Sequence, residues 1–301
     1  MAKAKFDVVG VGCCAVDYLG IVPHYPELDV KMELMEFSKQ GGGPVGTALV
    51  TLARLGACVS YIGKVGDDEF GQFLKSEFEK EGVDTKNIVI EKGASCRFAF
   101  IIVDKKTGKR TIVWSQNHIS SLCPQEITRK SVTSGRFLHV DQYEIDAAIL
   151  AARWAKEAGM KVVFDAEFVG RGVRKLLKFT DILITSEDFA ESWTGESDFE
   201  KAAQKLYKYQ GGIVVVTGGD KGCVCISDDC IIKKPAFRVK VKDTTGAGDV
   251  FHGAFIYGLL QDWELDKTAE FSCAVAALKC RELGGRAGIP RLNEVKRFLK
   301  R

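Results

Sequence analysis

The chain has 301 residues, 46% of them hydrophobic, enough to bury one large α/β core or two small ones. Its 43 basic and 40 acidic residues leave a formal charge of +3, without the concentrated basic block of a dedicated nucleic-acid binder. No apolar run approaches the roughly 20 residues of a membrane span, so a membrane role is not expected.

In chain order, the apolar run over 6–11, bounded by glycines, reads as a buried strand. Over 44–55 the spacing of Val45, Leu49, Leu52 and Leu55 predicts a helix, opened by Pro44 and closed by Gly56. A strand over 58–62 precedes a helix over 68–80, with Phe70, Leu74 and Phe78 on one face and Gly82 at its end. Runs over 98–103 and 110–114 flank a polar, glycine-containing loop and read as a hairpin. Then follow a strand at 137–140, a helix at 145–158, and strands at 161–165 and 182–185. A helix at 199–209 leads to a strand at 213–217, a second hairpin around Ser227, Asp228 and Asp229, a strand-like run at 237–241 and a helix at 250–260. The alternation predicts an α/β fold with a mainly parallel central sheet flanked by helices. Residues 15–40 and 93–117 interrupt it and read as a small β lid on a single domain spanning 1–301.

Ten cysteines are scattered without a CxxC pair, several in apolar runs, which argues against a metal or disulfide framework and for a reduced, cytoplasmic home. Lys3 and Lys5 precede the apolar run, but Asp7 and Asp17 bracket a stretch too short for a signal sequence. The tail Lys296-Arg297-Phe298-Leu299-Lys300-Arg301 reads as a solvated last helical turn.

The chemistry concentrates in Asp243-Thr244-Thr245-Gly246-Ala247-Gly248-Asp249. Small residues at 246–248 let the backbone turn sharply and approach a ligand. Their N–H groups, opening a helix, suit phosphate oxygens and the charge that develops in transfer. Asp249 in the first turn is placed to take a proton from an attacking hydroxyl, although an arbitrary GxGD is more often a turn and a helix cap.

DTTGAGDVFHGAF resembles the C-terminal signature of the PfkB (ribokinase-like) carbohydrate kinases. Gly41-Gly42-Gly43-Pro44-Val45-Gly46-Thr47-Ala48, through Leu52-Ala53-Arg54-Leu55-Gly56, resembles the N-terminal one, and Gly63 to Gly71 matches a further segment. The resemblance runs over about residues 5–290. It implies a kinase that uses ATP and Mg2+ and has K+ bound nearby. It implies Asp249 as base, with Gly246, Ala247 and Gly248 as the anion hole. Asp17 would bind substrate hydroxyls, with the sugar against Gly42-Gly43 beside Thr47. Thr217, Gly218, Gly219 and Gly222, with Ala274 and Ala277, would hold the nucleotide. Asp243, Thr245, Gly284 and Gly288 would hold the monovalent cation. A homodimer through the lid is a further implication.

Where the family carries Asn two residues before the substrate acid, this chain has Ala15, and Thr47 replaces a usual Asn. The family's Asn-x-x-Glu segment is Ser186-Glu187-Asp188-Phe189 here, leaving Glu187 and Asp188 as nearby acids for magnesium. Gly41 to Pro44, the run 274–280 and Gly284-Gly285-Arg286-Ala287-Gly288-Ile289-Pro290 resemble sulfofructose kinases; Ser186 and the strand at Arg110 resemble ketohexokinases. Both imply a ketose phosphorylated at a primary hydroxyl. An anionic substituent would call on Lys31, Arg97, Arg110 or His118, and Asn117 is a further substrate-side candidate.

Gly10 to Ala15 fits GxGxxA, but Pro23 and Pro26 follow where a dinucleotide fold needs a helix. There is no Walker loop, HExxH or GxSxG. A nucleoside kinase, with Tyr18, Phe100 and Trp114 as stacking surfaces, and a catalytically silent binding protein are the rival expectations.

Overall fold

The computed structural model describes residues 4–228 and 230–300; Asp229 of the second hairpin, Lys3 and Arg301 lie outside them. The elements in chain order are β1 (Phe6–Val11), β2 (Ala15–Val22), β3 (Glu36–Gly42), α1 (Pro44–Leu55), β4 (Val59–Ile62), β5 (Lys64–Gly66) and α2 (Glu69–Lys80). Next come β6 (Val89–Glu91), β7 (Phe98–Asp104), β8 (Arg110–Ser115), α3 (Arg129–Val132), β9 (Gly135–Val140), α4 (Ile145–Glu157), β10 (Lys161–Ala166), α5 (Val173–Leu177) and β11 (Ile182–Ser186). The chain closes with α6 (Glu187–Thr194), α7 (Phe199–Gln210), β12 (Ile213–Thr217), β13 (Cys223–Ser227), β14 (Cys230–Lys234), α8 (Ala247–Leu260), α9 (Leu265–Lys279) and α10 (Leu292–Leu299).

The main sheet has the order β14-β13-β12-β11-β10-β9-β1-β4. Neighbours from β12 to β4 pair in parallel, and β13 and β14 add an antiparallel edge. Strands buried on both faces carry near-continuous Val, Ile and Leu runs, which is why β1, β10, β11 and β12 read as apolar stretches. Alternation then sends Val8 to one core and Val9 to the other. The first core is completed by α1, α8 and α9, and the second by α4, α6 and α7. A Cβ on Gly253 would stand 2.5 Å from the Ala48 carbonyl oxygen, so α8 crosses α1 at a separation that only glycine permits.

A second sheet, ordered β3-β2-β7-β8, is built from the two segments that broke the alternation. Leu19, Ile21, Ala99, Ile101 and Val103 bury one side of it around Leu283, while Phe37, Phe100 and Val113 remain exposed.

Two expectations are corrected. Residues 237–241 form no strand: Pro235 ends β14, and Phe237 packs on Phe298 of α10, with ring centroids 5.3 Å apart, in place of pairing. The helix expected from residue 250 begins at Ala247, so Gly248 and Asp249 lie inside its first turn. Of the tail, Lys296 to Leu299 belong to the eight-residue α10, and Lys300 caps it.

Candidate active site

A cavity of about 290 Å³ opens where the small sheet meets the C-terminal ends of the parallel strands, the usual place for ligands in such sheets. Gly246 begins one wall. It adopts a left-handed backbone (φ 71°), and a Cβ there would stand 2.8 Å from Gly285 Cα, so the turn into α8 requires glycine. The N–H of Ala247 is taken by Thr244 O at 3.2 Å. Those of Gly248 and Asp249 are among the first-turn donors that a helix leaves without an intrahelical acceptor.

Asp249 lines the cavity, and burial raises its carboxyl above the usual range, against the lowering pull of His252, Arg110, Lys279 and Arg286. Across the cavity Asp17 projects from β2; burial pushes it up to about 7, offset by Arg286 and reinforced by Asp249 and Asp243. Gly42 lies so close that a Cβ would fall 2.1 Å from Asp17 Oδ2. Gly43 caps α1 at φ 87°, and both glycines, with Thr47, line the same cavity.

The expected substrate-side residues are not all brought together. Arg97 lines the cavity, but its guanidinium donates to Glu144 Oε1 at 2.6 Å in a buried pair. Burial opposes the Arg97 charge, and Glu144, with Cys13 and Cys14, together more than offset it. Lys31 is exposed in the loop between β2 and β3 and does not line the cavity. Asn117 sits in the turn after β8, where its amide donates to Cys96 O at 3.4 Å, also off the cavity. Arg110 of β8 does line it, and donates to Thr244 Oγ1 at 3.0 Å, tying the small sheet to the loop before α8.

The expected nucleotide loop follows β12. Thr217 pairs in register with Ser186 at the end of β11, and Gly219 and Gly222 take positive φ, 60° and 92°. The Gly218 N–H donates to Gly222 O at 2.9 Å, and the Gly218 carbonyl accepts from the Lys221 N–H at 3.0 Å, closing the turn. Ala274 and Ala277 face inward from α9, and the contact of Cys223 with Cys273, 3.6 Å between sulfurs, brings that helix against the loop. Lys221 is engaged by Glu187 at 2.5 Å. Ser186 serves as a helix cap, accepting from the Phe189 N–H at 3.3 Å, and Phe189 is buried in the core.

Three acids meet beside the cavity. Asp165 and Glu167, at the end of β10, and Asp249 each offer a carboxylate oxygen within 4.8 Å of the others. Asp165 Oδ2 is buried without a hydrogen-bond partner, while Oδ1 lies 3.3 Å from His252 Nε2, whose Nδ1 is 2.7 Å from Gly248 O. Burial raises Asp165 well above the carboxylate range, with Asp249 and Asp141 adding to it. Glu167 is pushed up to about 8, first by burial and then by Asp165, and accepts from Tyr143 Oη at 2.6 Å. Sequence reading ended the strand at Asp165 and passed over both acids. An acid at the carboxyl end of a central parallel strand was the available signal.

At the expected cation corner, Asp243 is fully buried. Its Oδ1 accepts from Thr245 N–H and Oγ1–H at 2.9 and 2.7 Å, and its Oδ2 from Gly284 N–H at 2.7 Å. Gly288 packs on the backbone of Lys279, where a Cβ would stand 2.3 Å from the carbonyl oxygen.

Known proteins share this sequence pattern and fold. Residues 5–292 match the model of the pfkB family of carbohydrate kinases. A 5-dehydro-2-deoxygluconokinase of Clostridium perfringens is 31% identical over 99% of this chain and 94% of its own length. The ribokinase of Haemophilus influenzae is 30% identical over 96% and 97%. The crystal structure of an Agrobacterium tumefaciens protein described as a ribokinase superposes with a TM-score of 0.90 at 26% identity, covering 98% of this chain and 99% of that one. With the family model, the relatives and the fold in agreement, the chain belongs to the pfkB family of carbohydrate kinases and is an enzyme that transfers phosphate to an alcohol.

Proposed function

We propose that the enzyme transfers the γ-phosphate of ATP to a primary hydroxyl of a ketose. The observation that carries this reading is a single cavity holding Asp17, the Gly42-Gly43 floor, Asp249 and the glycine turn into α8. Asp17 would accept hydrogen bonds from substrate hydroxyls and orient the sugar over the di-glycine backbone. Asp249 would take the proton as the hydroxyl oxygen bonds to the γ-phosphorus and the bond to the β–γ bridging oxygen breaks, releasing ADP. The donors of Gly246 and Gly248, on either side of the Ala247 N–H that Thr244 O engages, would hold the charge on the transferring group. Thr217, Gly218, Gly219 and Gly222 would seat the nucleotide, backed by the buried Ala274 and Ala277 of α9.

The ketose assignment is supported by the resemblance of the Arg110 strand and the C-terminal run to ketose kinases, and by Arg110 at the cavity for an anionic substituent. Of the aromatic residues that could stack a base, Tyr18 packs on Phe37 and Phe100, leaving Trp114 at the cavity, which favours a sugar over a nucleoside.

The residues fit a magnesium ion at Asp165 and Glu167, since crowded, buried carboxylates ionise together only beside a cation. Magnesium there would neutralise phosphate charge. A crystal structure of an Escherichia coli protein described as a ribokinase II holds ATP and Mg2+ on the same fold, at 21% identity. For the potassium expected at Asp243, Thr245, Gly284 and Gly288, the buried Lys279 offers a substitute.

The small sheet is read as the lid of one kinase unit, and its exposed Phe37, Phe100 and Val113 as the face on which a second copy would sit. No described helix is long and apolar enough to cross a membrane, and all ten cysteines are free, which supports a cytoplasmic home. The deciding experiment is an ADP-release screen with magnesium ATP over ketoses, their 6-phospho and 6-sulfo forms, aldoses and nucleosides. The expected result is the highest kcat/KM on a ketose; preference for a nucleoside or an aldose contradicts the assignment.

A further inference from the structure

Lys279 is a lysine in a helix otherwise made of small and apolar residues over 271–278, and it is fully buried. Its Nζ donates to the carbonyl oxygen of Asp243 at 2.9 Å, in the interior. A buried ammonium is retained only where a counter-charge and acceptors meet it. The carboxylate of the same Asp243 is buried beside it and supplies that charge. This carboxylate is already engaged on both oxygens by donors of the chain itself, from Thr245 and Gly284. A bare monovalent cation at this corner would need those oxygens and would stand next to a fixed positive charge. The residues therefore do not fit potassium.

We infer that Lys279 is a resident cation occupying the role that potassium was expected to fill. Its ammonium clamps the Asp243 carbonyl and holds the turn from Asp243 to Asp249, so that the donors of Gly246 and Gly248 stay aimed at the phosphate. Phosphoryl transfer is then independent of monovalent salt. Lys279 is a positioning residue: it acts through the loop and touches no reacting atom. The inference rests on the reading of that loop as the phosphate-handling segment.

The test compares potassium chloride with choline chloride at equal ionic strength, for the parent, Lys279→Met and Lys279→Ala. For the parent, kcat and the melting temperature should be the same in both salts. Lys279→Met keeps most of the side-chain volume without the charge, and should lose kcat by about tenfold or more while the sugar KM changes by less than about threefold. In Lys279→Ala the freed space and the released carbonyl oxygen of Asp243 should admit potassium or ammonium. Either ion should then raise the melting temperature relative to choline and restore about fivefold or more of the lost kcat, as a ligand of the native state does. A merely structural lysine would give no such ion-specific rescue.

Stimulation of the parent by potassium of more than about threefold in kcat overturns the inference. So does a Lys279→Met or Lys279→Ala protein with the parent's rate in choline. Should the variants fail to fold, the salt comparison on the parent decides alone. The melting comparison needs no sugar, so a wrong substrate assignment leaves it standing.

Discussion

Glu167 is held between the Tyr143 hydroxyl and Asp165, in a site where burial and neighbouring negative charge both resist its ionisation. Its carboxyl is pushed up to about 8, above the value it would have in an unfolded chain. The folded state thus holds a proton that the unfolded state gives up. The stability linked to that proton is fully present at pH values below the unfolded pKa and is lost as pH rises through about 8. Asp17 and Asp141, each pushed up to about 7, act in the same direction. The ligand-free enzyme should therefore melt at a lower temperature at about pH 8 than at about pH 6. Glu167→Gln should flatten that slope and exceed the parent in stability at the higher pH. Identical slopes for parent and variant in a pH series of thermal melts would remove Glu167 from the account. Glu167 was invisible in the sequence because its significance comes from what surrounds it. Tyr143 follows β9, and Asp249 lies on α8, far along the chain.

At the scale of elements, a buried ion pair helps to fasten the small sheet to the main body. Arg97, just before β7, donates to Glu144 at the N-terminus of α4, and the other oxygen of Glu144 accepts from the Leu122 N–H at 2.6 Å. Both side chains are removed from solvent, 6% and 0% exposed, so losing one charge leaves the other stranded. Glu144→Gln should destabilise the protein by about 3–5 kcal/mol in chemical denaturation. A loss under about 1 kcal/mol would show that the pair does not anchor the sheet. The elements themselves were largely legible. The period of α1 and the buried runs of β1, β10 and β12 are local signals, and the interrupted alternation marked out both segments of the small sheet. The run at 237–241 was misread because its alternation reflects packing of Phe237 on α10, and no local pattern reveals that a strand lacks a neighbour. Arg97 lines the cavity, and its engagement by Glu144 depends on contact across 47 residues.

For the whole molecule, the fold joins two sequence-distant signatures into one cavity. The di-glycine segment enters from β3 and α1, and the glycine turn from the start of α8, with Gly285 set against Gly246 between them. Each signature is readable because its glycines are required by backbone geometry, at Gly42 by Asp17 and at Gly246 by a left-handed turn. The charges that tune them were less so. Arg286, Lys279 and Asp165 are buried polar residues in apolar or loop sequence, and their meaning depends on tertiary partners. The central claim is that Asp249 removes the proton of the attacking hydroxyl in this cavity. The most direct measurement is turnover of Asp249→Asn on the best sugar, alongside its affinity for magnesium ATP. Turnover should fall by about a thousandfold or more while nucleotide affinity stays within about threefold of the parent. Turnover within about tenfold of the parent would contradict the assignment.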